Sequence, residues 1–306
     1  MPIPSMQRPF GILNAGKPPG VTSRWVVDRV ARLVKPAKAG HAGTLDPLAS
    51  GVLVVCVGSA TRLISAVQRQ PKVYRAVFQL GRRSDTDDVT GDVVIDAGAD
   101  PVSVDELRAL LPRFVGRIEQ VPPKFSAVHV NGRRAYQLAR SGQKVDLPPR
   151  TVHVSRIDLI AFEYPRLQLE IECGSGTYIR SIGRDLGEEL GCGAVMSDLV
   201  RTRIGPYRLE TAVEPASWTA ENLRDNLLPA VTAVADFPRY RCPPDRLEEL
   251  RHGRPIPCDE TEVPDDATIA VLTPEGRLAC LARCNRGNLS PKQVFPFWEV
   301  HTSRRK

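Results

Sequence analysis

Six consecutive apolar residues, Val52 to Val57, four of them valine and bounded by Gly51 and Gly58, constrain this chain more than any other stretch. A short β-branched run between glycines predicts a strand buried on both faces, so the fold must cover it with packed layers. The run is fed by "GHAGTLDPLASGVL" (40–53), a glycine-rich segment with a single carboxylate, Asp46, ahead of Pro47. Asp46 is then either a turn former or a reagent that the turn holds out.

The flanking pattern mixes the two periodicities. "FGILNA" reads as a short strand, and "VTSRWVVDRVARLV" as a helix with Thr22 or Ser23 as N-cap and Val26, Val27, Val30 and Val34 at helical spacing. "SATRLISAV" reads as a helix capped by Ser59, and "KVYRAVFQLG" as a strand. "RRSDTDDVTGD" is expected to be a solvated acidic loop before the strand "VVIDA". A helix over 103–114 follows, with Ser103 and Glu106 as its capping box. "SAVHVNGRRAYQLARSG" suggests strand, Asn-Gly turn and helix, and two long alternating strands then lead to a helix whose apolar face is Ile179, Ile182, Leu186 and Leu190. Strands and helices mingle without a βαβ rhythm. The expected fold class is therefore α+β, with a mixed, mostly antiparallel central sheet over 1–233 and a small β-rich domain over 234–306.

A chain of 306 residues can bury a core of that size. Seven cysteines, an odd number without paired knuckles, suit a reducing compartment and give no zinc framework. The start "MPIPSMQRPF" lacks a charged segment followed by an apolar one, and no run is long enough to span a bilayer, so a cytoplasmic protein without membrane association is expected.

The net charge of +7 is not evenly spread. Between residues 117 and 150 stand seven Lys or Arg against Glu119 and Asp146, a net +5 in one segment. A concentrated basic arm is the footprint of phosphate-backbone binding, although a solvated basic surface has the same composition.

Several motifs fail at the positions that carry their chemistry. "GILNAGK" has P-loop spacing, but Pro18 stands where Ser or Thr would hold magnesium. "GSGTYI" has Ile179 at the third glycine of a dinucleotide fingerprint. "DTDDVTGD" has Val89 and Thr90 where a calcium loop needs a ligand and a glycine, and no nucleophile elbow or H-E-x-x-H occurs. Neither cofactor nor metal is expected.

What remains is Asp46, Tyr74 in a strand, Arg180 in the first turn of a helix, and the basic arm. Taken singly, each has an ordinary reading: turn former, core aromatic, surface charge. Taken together, "GILNAGKPPGVTS", "GHAGTLDPLASGVL", "VYRAVFQLGRRSDTDDVTG", "VPPKFSAVHVNGRRAYQLARSG" and "CGSGTYIRSIGRDLGEELGCGA" resemble, in order from about residue 10 to 205, the motifs of the TruB family of tRNA pseudouridine-55 synthases. The tail resembles a PUA-type RNA-binding domain more loosely.

That resemblance implies a pseudouridine synthase fold and isomerisation of uridine 55 in the T arm of tRNA, by a monomer that needs no cofactor or protein partner. It makes Asp46 the catalytic nucleophile, Tyr74 the residue stacked on the flipped uracil and Arg180 the ion-pair partner of Asp46. Tyr178 and Leu199 fall at substrate-contact positions, and His41 falls where a histidine helps displace the target base. His129 departs from the lysine that many relatives carry, and Thr44 from an alanine. Two alternatives keep the same scaffold: a non-catalytic RNA-binding or tRNA-folding protein, and a synthase for another RNA uridine.

Overall fold

The computed structural model describes residues 9–96, 98, 100–126, 128–130, 133–140, 146–258 and 266–296. Two compact units share the chain. The first holds the chain up to Asp46, Val52–Gln70 and everything from Gly205; the second holds Pro47–Gly51 and Pro71–Ile204.

The first unit opens with β1 (Gly11–Lys17), α1 (Ser23–Leu33), β2 (Ala39–His41) and β3 (Ser50–Val57). Thr22 is the N-cap of α1, its hydroxyl accepting from the Trp25 N–H at 3.1 Å. The apolar stripe of α1, Val26 and Val30, packs with Leu13, Leu53, Val55 and Trp218 into one core, so the valine run is covered as its composition demands. Ser59, expected as a helix cap, instead sits inside a 3-10 turn over Gly58–Leu63, and α2 (Ile64–Arg69) begins only after it. Gly58, at φ +63°, turns the chain there, and its N–H is held by the Lys38 carbonyl at 2.8 Å.

The second unit contains β4 (Lys72–Leu80), the hairpin of β5 (Arg82–Ser84) and β6 (Val93–Ile95), α3 (Val104–Leu110) and β7 (Gly116–Gln120). The short pair β8 (His129–Val130) and β9 (Arg133–Arg134) then leads into α4 (Ala135–Arg140). Completing it are β10 (Arg150–Glu163), β11 (Arg166–Cys173), α5 (Ile179–Glu189) and β12 (Ala194–Ile204). The capping box of Ser103 and Glu106 forms as expected, but the helix tightens to 3-10 over Leu111–Phe114, where Pro112 has no N–H to continue it.

In this unit the strands run β12-β4-β11-β10-β7, antiparallel throughout, and the first two residues of β3 add a parallel edge through Ser50↔Val200 and Gly51↔Arg201. Gly51, at φ +102°, permits that approach: a Cβ there would lie 2.3 Å from the Arg201 carbonyl oxygen. Alternation along β4 sends Lys72, Tyr74, Ala76 and Phe78 to one face, while Arg75 turns to the other and pairs with Glu170 at 3.1 Å. α5 covers the first face. Its Gly183 lies so close to Phe78 that a Cβ would sit 2.3 Å from the ring, and its buried Ile179, Ile182 and Leu186 each contribute about 1.5–3 kcal/mol of burial.

The rest of the first unit starts with β13 (Tyr207–Arg208) and ends in a five-stranded sheet. That sheet comprises β14 (Arg239–Arg241), β15 (Ile256–Pro257), β16 (Thr268–Leu272), β17 (Leu278–Asn285) and β18 (Asn288–Val294), with α6 (Leu247–Arg251) between the first two. The order is β14-β16-β17-β18-β15, around a core that includes Leu250, Ile269, Val271 and Leu289. Phe295, just after β18, stacks on Phe10 with ring centroids 5.9 Å apart and carries the Arg62 guanidinium 4.8 Å above it. The α+β class, the mixed sheet and the separate β-rich C-terminal sheet are all as the sequence predicts. All seven cysteines are free thiols, and among the described residues no helix is long and apolar enough to cross a membrane.

Candidate active site

Asp46, half-buried, follows a loop that the N-terminus of α1 clasps. The Ser23 hydroxyl donates to the Leu45 carbonyl at 3.0 Å and accepts the Leu45 N–H at 2.8 Å, so both backbone groups of the preceding residue are fixed by one side chain. Ser23 is itself placed by the turn before α1. There the Lys17 ammonium, 1% exposed, donates to the carbonyls of Pro18 at 2.9 Å and Val21 at 2.7 Å. The lysine that mimicked a P-loop therefore organises a turn, and the clasp explains why "GKPPGVTS" accompanies "GTLDP". His41 pairs with Val55 across β2 and β3, and the Ala42 N–H bonds the Val54 carbonyl at 2.9 Å, tying the start of the glycine-rich loop to the valine strand.

The second unit gathers the other sequence candidates around one face of its sheet. Tyr74 lies there on β4, and Leu199 on β12 is the cross-strand partner of Ala76, two residues along. Arg201, which the sequence reading passed over, is the partner of Tyr74 itself. Arg180 lies in the first turn of α5, the helix that packs on this face. Its guanidinium donates to the carbonyls of Thr86 at 2.9 Å and Phe125 at 3.1 Å and lies 3.6 Å from the Asp88 carboxylate.

The 85–92 loop is therefore not simply the solvated segment expected from its acids. Asp88 is 3% exposed and accepts from the Thr90 N–H at 2.9 Å, the Thr90 hydroxyl at 2.5 Å and the Thr86 hydroxyl at 2.8 Å. Burying an aspartate is tolerated where a cation and several donors compensate it, and the Arg180 guanidinium and the two threonines do so. Burial pushes the neighbouring Asp87 carboxyl up, with the Arg184 and Arg180 guanidiniums opposing the shift; Arg184 lies 3.0 Å away.

The same turn of α5 holds the entrance of the basic arm. Ser181 donates to the Val121 carbonyl at 2.9 Å, as does Arg184, while Arg180 holds Phe125. Tyr178, the N-cap of α5, has both backbone groups bonded by Gln120, at 2.8 and 3.0 Å, and its side chain packs on an apolar cluster of Val128, Ala135 and Leu147 within the arm. Of the arm's cations Arg117, Lys124 and Arg150 are exposed. Lys144 and the Asn131–Gly132 turn lie outside the described residues, and of His129, Arg133, Arg134 and Arg140 only the backbone is described.

Asp46 and His41 thus belong to the first unit, and Tyr74, Tyr178, Arg180 and Leu199 to the second. Three residues that sequence reasoning missed are Ser23 as a clasp, Asp88 and Arg201. The only signals for them were a helix-cap serine, one acid among four in a loop, and an arginine at an inward-facing strand position.

Comparison with known proteins gives the family. Residues 31–179 match the model of the TruB family pseudouridylate synthase N-terminal domain, and 180–235 that of the tRNA pseudouridylate synthase B C-terminal domain. The chain is 42% identical over 290 residues to the tRNA pseudouridine synthase B of Dehalococcoides mccartyi, covering 93% of this chain and 96% of that one. It is 39% identical over 294 residues to the protein of the same name from Gloeobacter violaceus, covering 94% and 99%. Among solved structures, a chain in the crystal structure of a Cbf5-Nop10-Gar1 complex superposes with a TM-score of 0.73 at 26% identity, covering 94% of this chain and 86% of that one. A chain of an H/ACA RNP bound to a substrate RNA containing 2'-deoxyuridine superposes with 0.72 at 25%, covering 95% and 86%. With the pseudouridine synthase fold, the order of the motifs and relatives of this identity along nearly its whole length, the chain belongs to the TruB family of pseudouridylate synthases.

Proposed function

We propose that this protein converts uridine 55 in the T arm of tRNA to pseudouridine, with Asp46 as the catalytic carboxylate. The relatives' shared name supports tRNA pseudouridylation. The observation that carries the residue-level reading is the clasp of Leu45 by Ser23, which fixes the backbone immediately before a half-buried aspartate. Fixing the backbone beside it gives the carboxylate a defined position, which a reagent needs and a plain turn former does not.

The chemistry breaks the bond from ribose C1′ to N1, turns the uracil and rejoins it through C5, without exchange of electrons or groups with a cofactor. One ionised carboxylate suffices, whether it attacks C1′, adds to uracil C6 or takes a ribose proton. In this reading Arg180 is the ion-pair partner of Asp46 and favours its charged form. The target base must leave its stack, which costs a few kcal/mol; His41 helps displace it, and stacking on Tyr74 offsets that cost, with Tyr178 and Leu199 contacting the substrate. The exposed cations of the arm hold the phosphate backbone of the T arm and loop, which positions without reading sequence. Residues 1–233 form the catalytic domain and 234–306 a PUA-like RNA-binding domain of a cytoplasmic monomer.

Release of tritium from T-arm RNA carrying [5-³H]uridine tests the activity, and none from the wild type would end the proposal. Asp46→Asn is expected to bind the RNA and release none; an active variant would remove Asp46 from the mechanism. A second reading, a synthase acting on another uridine within a guide-RNA particle, is favoured by the named complexes of the structural neighbours. Mapping pseudouridines in tRNA from cells lacking the protein separates the two, because only the first reading predicts loss at position 55.

A further inference from the structure

The face of the second unit that carries Tyr74 also carries a cation that the roles above leave without a task. Arg201 is 1% exposed, is the cross-strand partner of Tyr74, and holds its guanidinium carbon 5.9 Å from the centroid of the Tyr74 ring. An inward-facing strand position is among the costliest places for a permanent charge, and a cation is kept there only where electron-rich or anionic groups offset the burial. The π face of a tyrosine within about 6 Å is such a group, more effective when water is excluded. Lys72, two residues before Tyr74 on the same side of β4, is 6% exposed. Burial, reinforced by the charge of Arg201, pushes its amine down to about 8. Of the two cations, Arg201 is the one whose guanidinium lies over the Tyr74 ring.

We infer that Arg201 is a positioning residue for Tyr74, fixing the ring from one side and biasing it toward a uracil that carries negative charge. The inference rests on the reading of Tyr74 as the base-stacking residue. Each of the three routes open to Asp46 places negative charge on the uracil: cleavage of the C1′–N1 bond leaves its electron pair on the base, and addition at C6 pushes a pair toward O4. A tyrosine with a guanidinium at its side is a better neighbour for that charged base than for the neutral one. The interaction is therefore stronger after the ground state and acts on turnover rather than on binding.

The test is a double-mutant cycle on the full-length protein with Tyr74→Leu, Arg201→Met and both together, read as single-turnover tritium release and as RNA affinity. Arg201→Met is expected to slow release about tenfold with affinity within about twofold, and to add no further loss once Tyr74 is replaced. Equal losses in both backgrounds, or a loss confined to affinity, would overturn the role. Should Arg201→Met fail to fold, Arg201→Lys carries the same cycle: it keeps a cation, and a smaller loss that vanishes with Tyr74→Leu is expected, whereas a loss that persists there counts against the role. Near-ultraviolet circular dichroism, as wild type minus Tyr74→Leu, is expected to change with Arg201→Met whether or not RNA is turned over. No change would remove the contact itself, while a wild type that releases no tritium but shows the spectral change would remove only the base-stacking reading.

Discussion

The Arg180 guanidinium lies 3.6 Å from the Asp88 carboxylate, with the two side chains only 6% and 5% exposed. Because Arg180 also holds the carbonyls of Thr86 and Phe125, one buried cation links the 85–92 loop, the start of α5 and the entrance of the basic arm. Its direction is set by three acceptors from two loops. An arginine meant to meet a substrate-side group is useful only if fixed in this way.

Removing one partner of a buried ion pair leaves the other uncompensated, so Asp88→Ala is expected to cost about 3 kcal/mol in unfolding free energy. Asp88→Asn keeps an oxygen for the Thr86 and Thr90 donors and should cost less, while still slowing tritium release by loosening Arg180. Urea unfolding of the two variants gives the comparison, and an alanine variant as stable as the wild type would remove Asp88 from the network.

Ser23→Ala leaves the buried backbone groups of Leu45 without their side-chain partner, at a cost of about 1–3 kcal/mol. If the clasp aims Asp46, turnover falls while RNA affinity stays level, since Ser23 is 2% exposed and offers no surface to RNA. Unaltered turnover would mean that the loop holds its shape without it.

Much of the fold is legible in the sequence for local reasons. α1 announces itself through Thr22 and the spacing of Val26 and Val30, and the valine strand through its length and bounding glycines. Ser59 misled because a serine before an apolar run signals a cap only if the turn ahead of it permits one, and Gly58 at φ +63° starts a 3-10 turn instead. Asp46 stood out only in the company of the other motifs. Asp88 and Arg201 did not stand out at all. Their burial depends on residues far away in sequence, Arg180 for one and Tyr74 for the other, and no periodicity reports a contact of that range. Read locally, "SDTDDVTGD" is a hydrophilic loop whichever of its acids turns inward.

Gly183→Ala sets two effects against each other. Alanine in a helix interior gains up to about 1 kcal/mol over glycine, but its Cβ would lie 2.3 Å from the Phe78 ring. Overpacking of a rigid ring costs about 1–3 kcal/mol, so a net loss of stability is expected. Phe78→Leu in the same chain should recover part of it by making room. A Gly183→Ala variant that melts above the wild type would show that α5 shifts freely on the sheet.

Lys72 gives a prediction with a definite sign in pH. Its amine is lowered in the folded protein to about 8 from an ordinary 10.5, first by burial and then by the charge of Arg201. Below pH 8 both folded and unfolded chains carry the proton, and the full cost of a buried ammonium weighs on the folded state. Between about 8 and 10.5 the unfolded chain binds more protons than the folded one, so this group's contribution to stability rises with pH across that window. Allowing for screening by solvent, the change is about 1–2 kcal/mol. The buried thiols push the other way: Cys173 is raised to about 11, and unfolded thiols ionise first as pH climbs. Comparing wild type with Lys72→Met at each pH cancels that background. The stability of the methionine variant relative to wild type is expected to be greatest near pH 7 and to decline by pH 10; a difference that stays constant over the range would show that Lys72 keeps its ordinary pKa.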